Sequence, residues 1–360
     1  MSENLHLDKI VIKAFNPHSC SPERWDLFHE YRRAIHYQQS PDILLEITNE
    51  QAETSYLLFS EHPDFEIYLY SIEDIDANKQ IGEIRCILPL ENTEMYKKNS
   101  QYMEFYITLL QNYRKKGIGT IALKTISDVA QKKGKTLLAT DTYNQDGKAF
   151  LQAIGANLAI GKEIRLNLED VNWNLVDKWI TEGKKRSPTT KLVCLNSIPE
   201  ELIDQFRKLY TETYNQQPWE VLDEVAFIFS VNYFKHLEKS MHETGGTWII
   251  IVTMENNGEI SGLTELRYNP AFKNVIKQEL TGVKEKYRGK GLGKWLKASM
   301  LLELRKQLPE VKIIRSENVI NNAPMISIND KLGFKFYSEC IEAHITIDKL
   351  EEYLASKEEK

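Results

Sequence analysis

At 360 residues the chain exceeds the size at which one hydrophobic core keeps growing, so two domains are expected. With 42% hydrophobic and 27% charged residues it has the make-up of a soluble globular protein, which excludes a chain dominated by disorder. A net charge of -6 at pH 7 excludes the broad basic surface that nucleic-acid binding needs, although a local basic loop remains compatible with it.

In chain order, Lys9 to Phe15 alternates apolar and polar as a half-buried strand does, and Ser21-Pro22-Glu23 opens a helix that runs through Trp25, Phe28 and Tyr31. Phe65 to Ile72 and Ile81 to Leu88 read as paired strands across an acidic turn. A further strand, Met103 to Leu110, is followed by the basic glycine turn Tyr113 to Thr120 (YRKKGIGT) and an amphipathic helix carrying Ile118, Ile121, Ala122 and Ile126. Lys135 to Thr140 is again strand-like, and an Asn-rich stretch and short helix end at Ile154-Gly155-Ala156. Trp173 to Thr190 reads as a helix ending at Gly183 and a basic, Pro-containing linker.

The same order then recurs. Lys191 to Leu195 is a strand, and Pro199-Glu200-Glu201 starts a helix with Leu202, Ile203, Phe206 and Tyr210 on one face. Gly246 to Met254 and Ile260 to Tyr268 flank Asn257-Gly258 as a β-hairpin. Ile276 to Val283 leads to a second basic glycine turn, Tyr287 to Lys294 (YRGKGLGK), and to a helix with Leu292, Trp295, Leu296 and Met300. Val311 to Ser316, another Asn-rich stretch and Leu332-Gly333-Phe334 complete the series. Agreement across so many elements indicates two copies of one α/β (α+β) domain, 1–170 and 191–360, joined by a linker at 171–190.

Both turns share Arg-x-x-Gly-x-Gly between a strand and a helix, at Arg114, Gly117, Gly119 and at Arg288, Gly291, Gly293. Neither is a Walker loop, which needs G-x-x-x-x-G-K-[ST]. Gly117 to Ala122 fits the dinucleotide fingerprint G-x-G-x-x-A, with Asp141 as a ribose-binding acid. However, five polar residues separate the strand from Gly117, and Lys294 replaces the third glycine in the second copy. Glycines between a strand and a helix let backbone N–H groups reach a pyrophosphate, while the positive helix end and basic side chains add charge, without a metal.

This arrangement resembles the GNAT superfamily of acyl-CoA-dependent N-acyltransferases, whose signature loop is [QR]-x-x-G-x-[GA]. The second copy carries it in TGVKEKYRGKGLGKWLKASML, followed by N-x-x-N-A-P-M-x-x-x-N-x-x-L-G-F from Asn318 to Phe334. The whole is similar to tandem GNAT proteins, including the mycothiol synthase type. The resemblance implies two tandem domains, each a mixed, mostly antiparallel sheet flanked by helices. It further implies acetyl-CoA as cosubstrate, with its pyrophosphate on the backbone of Arg288, Gly289, Lys290, Gly291, Leu292, Gly293 and Lys294, and its pantetheine arm between Val283 and Asn322 in the cleft between two splayed strands. The same logic places Leu110 and Arg114 to Thr120 in the first copy. That copy either holds CoA or survives as a structural partner, since Asn144-Gln145-Asp146-Gly147 only loosely mirrors Asn321-Asn322-Ala323-Pro324.

For catalysis, an amine must be positioned, deprotonated and directed at a thioester. Glu279 and Glu104 are the candidate bases, each acting directly or through water with a raised pKa. Glu279 shares alternation parity with Val283, and Glu104 with Leu110, so each pair is expected on one face of its strand. Each also fits a plain strand carboxylate. Where the family often places a proton-donating tyrosine, this chain has Asn329, and Leu151 in the first copy. Asn329 is able to donate a hydrogen bond but no proton, so water or a tyrosine such as Tyr337 would substitute.

His236 and His242 lack H-E-x-x-H spacing and read as structural, and Trp219 reads as a loop anchor or a contact to the acceptor. Four cysteines without a C-x-x-C pair (Cys20, Cys86, Cys194, Cys340) give neither a disulfide framework nor a zinc cage. With no signal-like start and no run of ~20 apolar residues, the expectation is a cytoplasmic protein. It would be a monomer with an intramolecular pseudo-dimer of domains, taking a small-molecule or peptide amine and no metal, membrane or nucleic acid. An acyl-CoA sensor or structural pseudo-enzyme without turnover is the alternative, and a nucleotide-dependent oxidoreductase the more distant one.

Overall fold

The structure, a computed structural model, describes residues 6–218, 222 and 225–358. The chain begins with β1 (Ile10–Ala14), α1 (Pro22–Gln39), α2 (Asn49–Ser60), β2 (Phe65–Asp74), β3 (Lys79–Pro89), α3 (Glu94–Lys98) and β4 (Tyr102–Leu109). It continues through α4 (Ile118–Lys132), β5 (Leu137–Thr142), α5 (Gln145–Ala153), β6 (Asn157–Asn167) and α6 (Trp173–Arg186). The second series is β7 (Lys191–Leu195), α7 (Glu200–Tyr214), α8 (Val231–Glu243), β8 (Thr247–Met254), β9 (Ile260–Tyr268) and β10 (Val275–Val283). It closes with α9 (Leu292–Gln307), β11 (Ile313–Val319), α10 (Ala323–Leu332), β12 (Lys335–Thr346) and α11 (Ile347–Glu358). Side-chain caps start many of the helices: Ser21 accepts from Arg24 N–H before α1, Thr48 and Gln51 form a reciprocal capping box before α2, and Asn144 and Asn322 cap α5 and α10. No helix among the described residues is long and apolar enough to cross a membrane.

Two compact units result, and they are not contiguous in sequence. One takes in Met1–Ala159, Val221–Val225 and Ile341–Lys360, the other Ile160–Glu220 and Ala226–Cys340. In the first, β1 to β5 lie side by side in sequence order, antiparallel except for the parallel β4/β5 pair, and Ile341–Thr346 of β12 lie antiparallel to Leu137–Thr142 of β5. The second has the same plan: β7 to β11 in order, β10/β11 parallel, and Gly161–Asn167 of β6 antiparallel to Ile313–Val319 of β11. Among the described residues each unit therefore has six paired strands, the sixth supplied by the other repeat. The sequence boundaries at 170 and 191 follow the repeat, whereas the cores follow this exchange of terminal strands.

Each sheet is packed on both faces. In the first unit, Ile118, Ala122, Leu123 and Ile126 of α4 pack against Ile72, Ile84 and Met103, with Ala343, Ile345 and Leu350 of β12 and α11 in the same cluster. Phe28, Tyr31 and Ile35 of α1 cover the other face beside Phe15, Leu69 and Leu110. In the second unit, Leu296, Met300 and Leu304 of α9 pack with Val176 and Trp179 of α6 on one face, and Phe206 and Phe234 of α7 and α8 pack with Trp248 and Ile250 on the other.

Helix α6 runs past Gly183, the residue expected to end it, as far as Arg186. A Cβ at Gly183 would lie 2.4 Å from Cγ of Trp295, so the missing side chain is what lets α6 approach α9. Gly183→Ala is expected to cost about 1–3 kcal/mol of the second unit's stability, measured by urea unfolding. Leu350, fully buried near the carboxyl end, serves the first unit's core. Leu350→Ala should cost about 2–5 kcal/mol and speed hydrogen exchange at Leu137–Thr142; unchanged exchange there would contradict the strand exchange.

Candidate active site

The two glycine turns have one backbone conformation. Gly117 (φ 86°) and Gly291 (φ 80°) are the left-handed N-cap residues of α4 and α9. Two residues earlier, Lys115 (φ 59°) and Gly289 (φ 78°) are left-handed too. Lys115 adopts this conformation at a cost of about 1–2 kcal/mol that glycine avoids. In both copies the motif arginine is a tether: Arg114 Nε donates to the carbonyl of Leu109, and Arg288 Nε to that of Val283, each at 3.0 Å. This bond aligns Leu109 with Val283. Leu110, expected at that place, is one residue further on and buried with Phe28 and Tyr31.

The turns differ in what surrounds them. No side chain caps the first N–H groups of α4 or of α9, but over the second turn a Cβ at Gly289 would meet nothing within 4 Å. Glu259 accepts from Lys284, Lys286 and Tyr287, each at 2.8 Å, which anchors the turn's approach and holds the Glu259 carboxyl down at about 2. The ammonium groups of Lys286 and Lys290 lie 5.0 and 5.2 Å from the Tyr287 ring centre, and Arg288 also bonds Gln216. Around the first turn, Asp146 pairs with Lys115 at 2.7 Å and with Arg114 at 3.6 Å, and those cations hold its pKa down. Asp146 stands where the second copy has Pro324, counting back from Gly155 and Gly333.

Beyond the turns, the central parallel strands part. Strand β4 pairs with β5 only from Tyr102 to Glu104, and β10 with β11 only from Val275 to Gln278, although all four strands run on. A wedge opens in each unit, as the resemblance implied. In β10 the register against β9 shifts between Gln278 and Thr281, so Glu279 and Leu280 form a bulge opposite Glu265, while β4 pairs with β3 without a break. The bulge overturns the expected parity of Glu279 with Val283. Val283 packs into the α9 cluster, whereas Leu280 packs into the α7/α8 cluster and Glu279 lies among Lys277, Arg267 and Arg315. By pairing register, Glu104 corresponds to Lys277 rather than to Glu279.

Glu279 is part of a charged lattice on that face. Lys277 lies 3.6 Å from Glu279 and 3.7 Å from Glu317, and Glu163, contributed by β6, bonds Arg165 at 2.7 Å and Arg315 at 2.8 Å. Buried Glu265 accepts from Tyr210 at 2.7 Å and Trp248 at 2.6 Å. Burial pushes the Glu279 carboxyl up, but Lys277, Arg267 and Arg315 outweigh it, and its pKa ends below the ordinary value. The raised pKa expected of a base is absent here. Glu104 has it: burial dominates over hydrogen bonds from Tyr102 at 3.0 Å and Tyr106 at 3.1 Å, and Asp141 adds to the rise.

Asn329 is buried, and its amide donates to Oδ1 of Asn318 at 3.0 Å inside the unit. Tyr337 lies under the Arg165 guanidinium, 3.2 Å from its ring centre. Asn322 Oδ1 accepts from Met325 N–H as the cap of α10. His236 and His242 both lie on α8, and Trp219 lies outside the described residues.

Sequence reasoning passed over Lys297, a buried lysine on α9 at the position held by Leu123 in α4. Its ammonium faces the Phe334 ring at 5.2 Å, and burial lowers its pKa to about 7. The unfolded chain binds this proton below about 10.4, the folded chain only below about 7, so stability falls as pH drops through that window. Lys297→Met should therefore stabilise by a few kcal/mol at pH 7 and by almost nothing near pH 10.5, measured as urea midpoints across pH.

The model of the acetyltransferase (GNAT) family matches residues 25–156 and again 201–334. Among solved structures, the chain is similar to a tandem GNAT protein from the clavulanic acid biosynthesis pathway, at 17% identity and TM-score 0.70, over 94% of this chain and 98% of that one. It is also similar to a GCN5-related N-acetyltransferase from Sphaerobacter thermophilus, at 12% identity and TM-score 0.58, over 94% and 96%. A glucosamine N-acetyltransferase region of a fungal multi-domain β-N-acetylglucosaminidase matches at 13% identity and TM-score 0.64, over 93% of this chain and 38% of that one. At these identities the likeness is one of fold, and no curated protein sequence matches. Two family matches over the two repeats, with the glycine turn and parted strands in each, make the chain a tandem member of the acetyltransferase (GNAT) family.

Proposed function

We propose that the second unit transfers an acetyl group from acetyl-CoA to a primary amine. The turn from Arg288 to Lys294 carries this reading: two left-handed glycines, an uncapped α9 N-terminus and open space over Gly289, tethered to the end of β10 where the sheet parts. Its backbone N–H groups suit pyrophosphate oxygens, and Val283 and Asn322 flank the route of the pantetheine arm. Bound acetyl-CoA supplies a thioester, which an amine attacks without a metal or a covalent enzyme intermediate.

Residues of the bulge supply the remaining chemistry. A bulge leaves backbone groups out of the ladder, so an N–H at Glu279–Leu280 is available to the thioester oxygen as charge develops. Glu279, kept ionised by Lys277 and Arg267, attracts the incoming ammonium and accepts its proton through water. The lattice of both signs around it fits an acceptor that carries charges of its own, a small molecule or a peptide amine. In the first unit, Asp146 already pairs with Lys115 and Arg114 of the turn, and we assign that copy a structural role towards CoA.

Burial of Asn329 favours a second reading, in which the chain binds acyl-CoA as a sensor and turns nothing over. Amine-dependent release of free CoA decides between them. Gly291→Glu places a side chain at a left-handed residue and against Arg186, so calorimetry should show CoA binding abolished; binding as tight as in the unaltered chain would sink the assignment. Lys277→Met removes the nearest cation from Glu279, so its pKa rises and the acid limb of kcat/KM moves to higher pH. A limb that stays in place would remove Glu279 from the reaction.

A further inference from the structure

We infer that Arg186, the last residue of the helix joining the two repeats, is a pyrophosphate ligand of the second unit's CoA site. The inference rests on the proposed acetyl-CoA reading and adds a residue that lies outside both family matches. Nη1 of Arg186 lies 3.1 Å from where a Cβ of Gly291 would stand, and Gly291 is the N-cap of α9. A guanidinium is thus held against the positive end of a helix, where charge alone would exclude it, because anions are stabilised there and cations are not. Among the described residues its counter-charge is Glu182 on its own helix, 3.3 Å away, and the side chain is half exposed. An anion seated on the α9 N-terminus would satisfy both the uncapped N–H groups and this guanidinium.

The position is built by packing. Gly183 brings α6 against Trp295 of α9, and three residues later the helix ends with Arg186 over the turn. A planar guanidinium there can take two oxygens of one phosphate group, which a freely mobile lysine does not do. The first copy makes the contrast: Leu7 Cδ1 lies 3.4 Å from the corresponding Cβ position at Gly117, and Asp146 bonds the turn's own cations. One turn is furnished for an anion, while the other is covered by an apolar side chain and an internal carboxylate.

The test is titration calorimetry of the full chain with CoA and with dephospho-CoA, comparing the unaltered protein with Arg186→Gln. Loss of a charge-assisted bond should weaken both ligands about tenfold or more, with no change in thermal midpoint. Both should weaken alike, because a contact at the α9 N-cap is to the pyrophosphate that the two ligands share. Equal affinity of Arg186→Gln and the unaltered chain for CoA would overturn the inference, as would a loss confined to CoA, which would move the contact to the 3′-phosphate. If the unaltered chain binds neither ligand, the acetyl-CoA reading itself fails, and the two failures are distinct.

Discussion

The parting of β10 from β11 is the constraint on which the second unit depends. Parallel strands that stop pairing at Gln278 and Ser316 leave backbone groups facing a wedge instead of a partner. The structure holds the wedge open with three devices: a bulge at Glu279–Leu280, the Arg288 tether to Val283, and Glu259 clamping the approach to the turn. The bulge lies where the strands separate, while the tether and the clamp act at the end of β10, ahead of α9. A sheet that remained paired would have no room for an extended ligand between its strands.

Comparison of the two units shows how one plan diverges in chemistry. Both keep the left-handed pair of residues, the arginine tether and the wedge. The second adds one residue to its central strand, which forms the bulge and sets Glu279 in a lattice of cations; the first keeps a regular strand and a buried Glu104 among tyrosines. The strand carboxylates that precede the two turns therefore have opposite pKa shifts. The exchange of β6 and β12 ties the units to each other's sequence, because Glu163 of the first repeat completes the lattice around Arg315 in the second unit.

Much of this was legible in the sequence. Alternation marked the strands from β1 to β5 and from β7 to β11, and the spacing of Arg, Gly and Gly marked both turns. What stayed hidden depended on contacts distant in sequence. Strands β6 and β12 are broken up by charged residues such as Glu163, Arg165 and Glu342, and nothing local says that each pairs outside its own repeat. Parity counting failed at Glu279 because a bulge is visible only as a register shift, and Gly183 resembled a helix end because the Trp295 ring that requires a glycine lies on another helix. A clue was available for the bulge: from its first paired residue to the turn arginine, the second copy is one residue longer than the first.

The central claim is that of two similar turns only the second holds acyl-CoA. Calorimetric stoichiometry of CoA on the full chain, with and without Gly117→Glu, tests it most directly. One site per chain, unchanged in affinity by Gly117→Glu, is the predicted result; two sites per chain, or a single site lost in that variant, would contradict it.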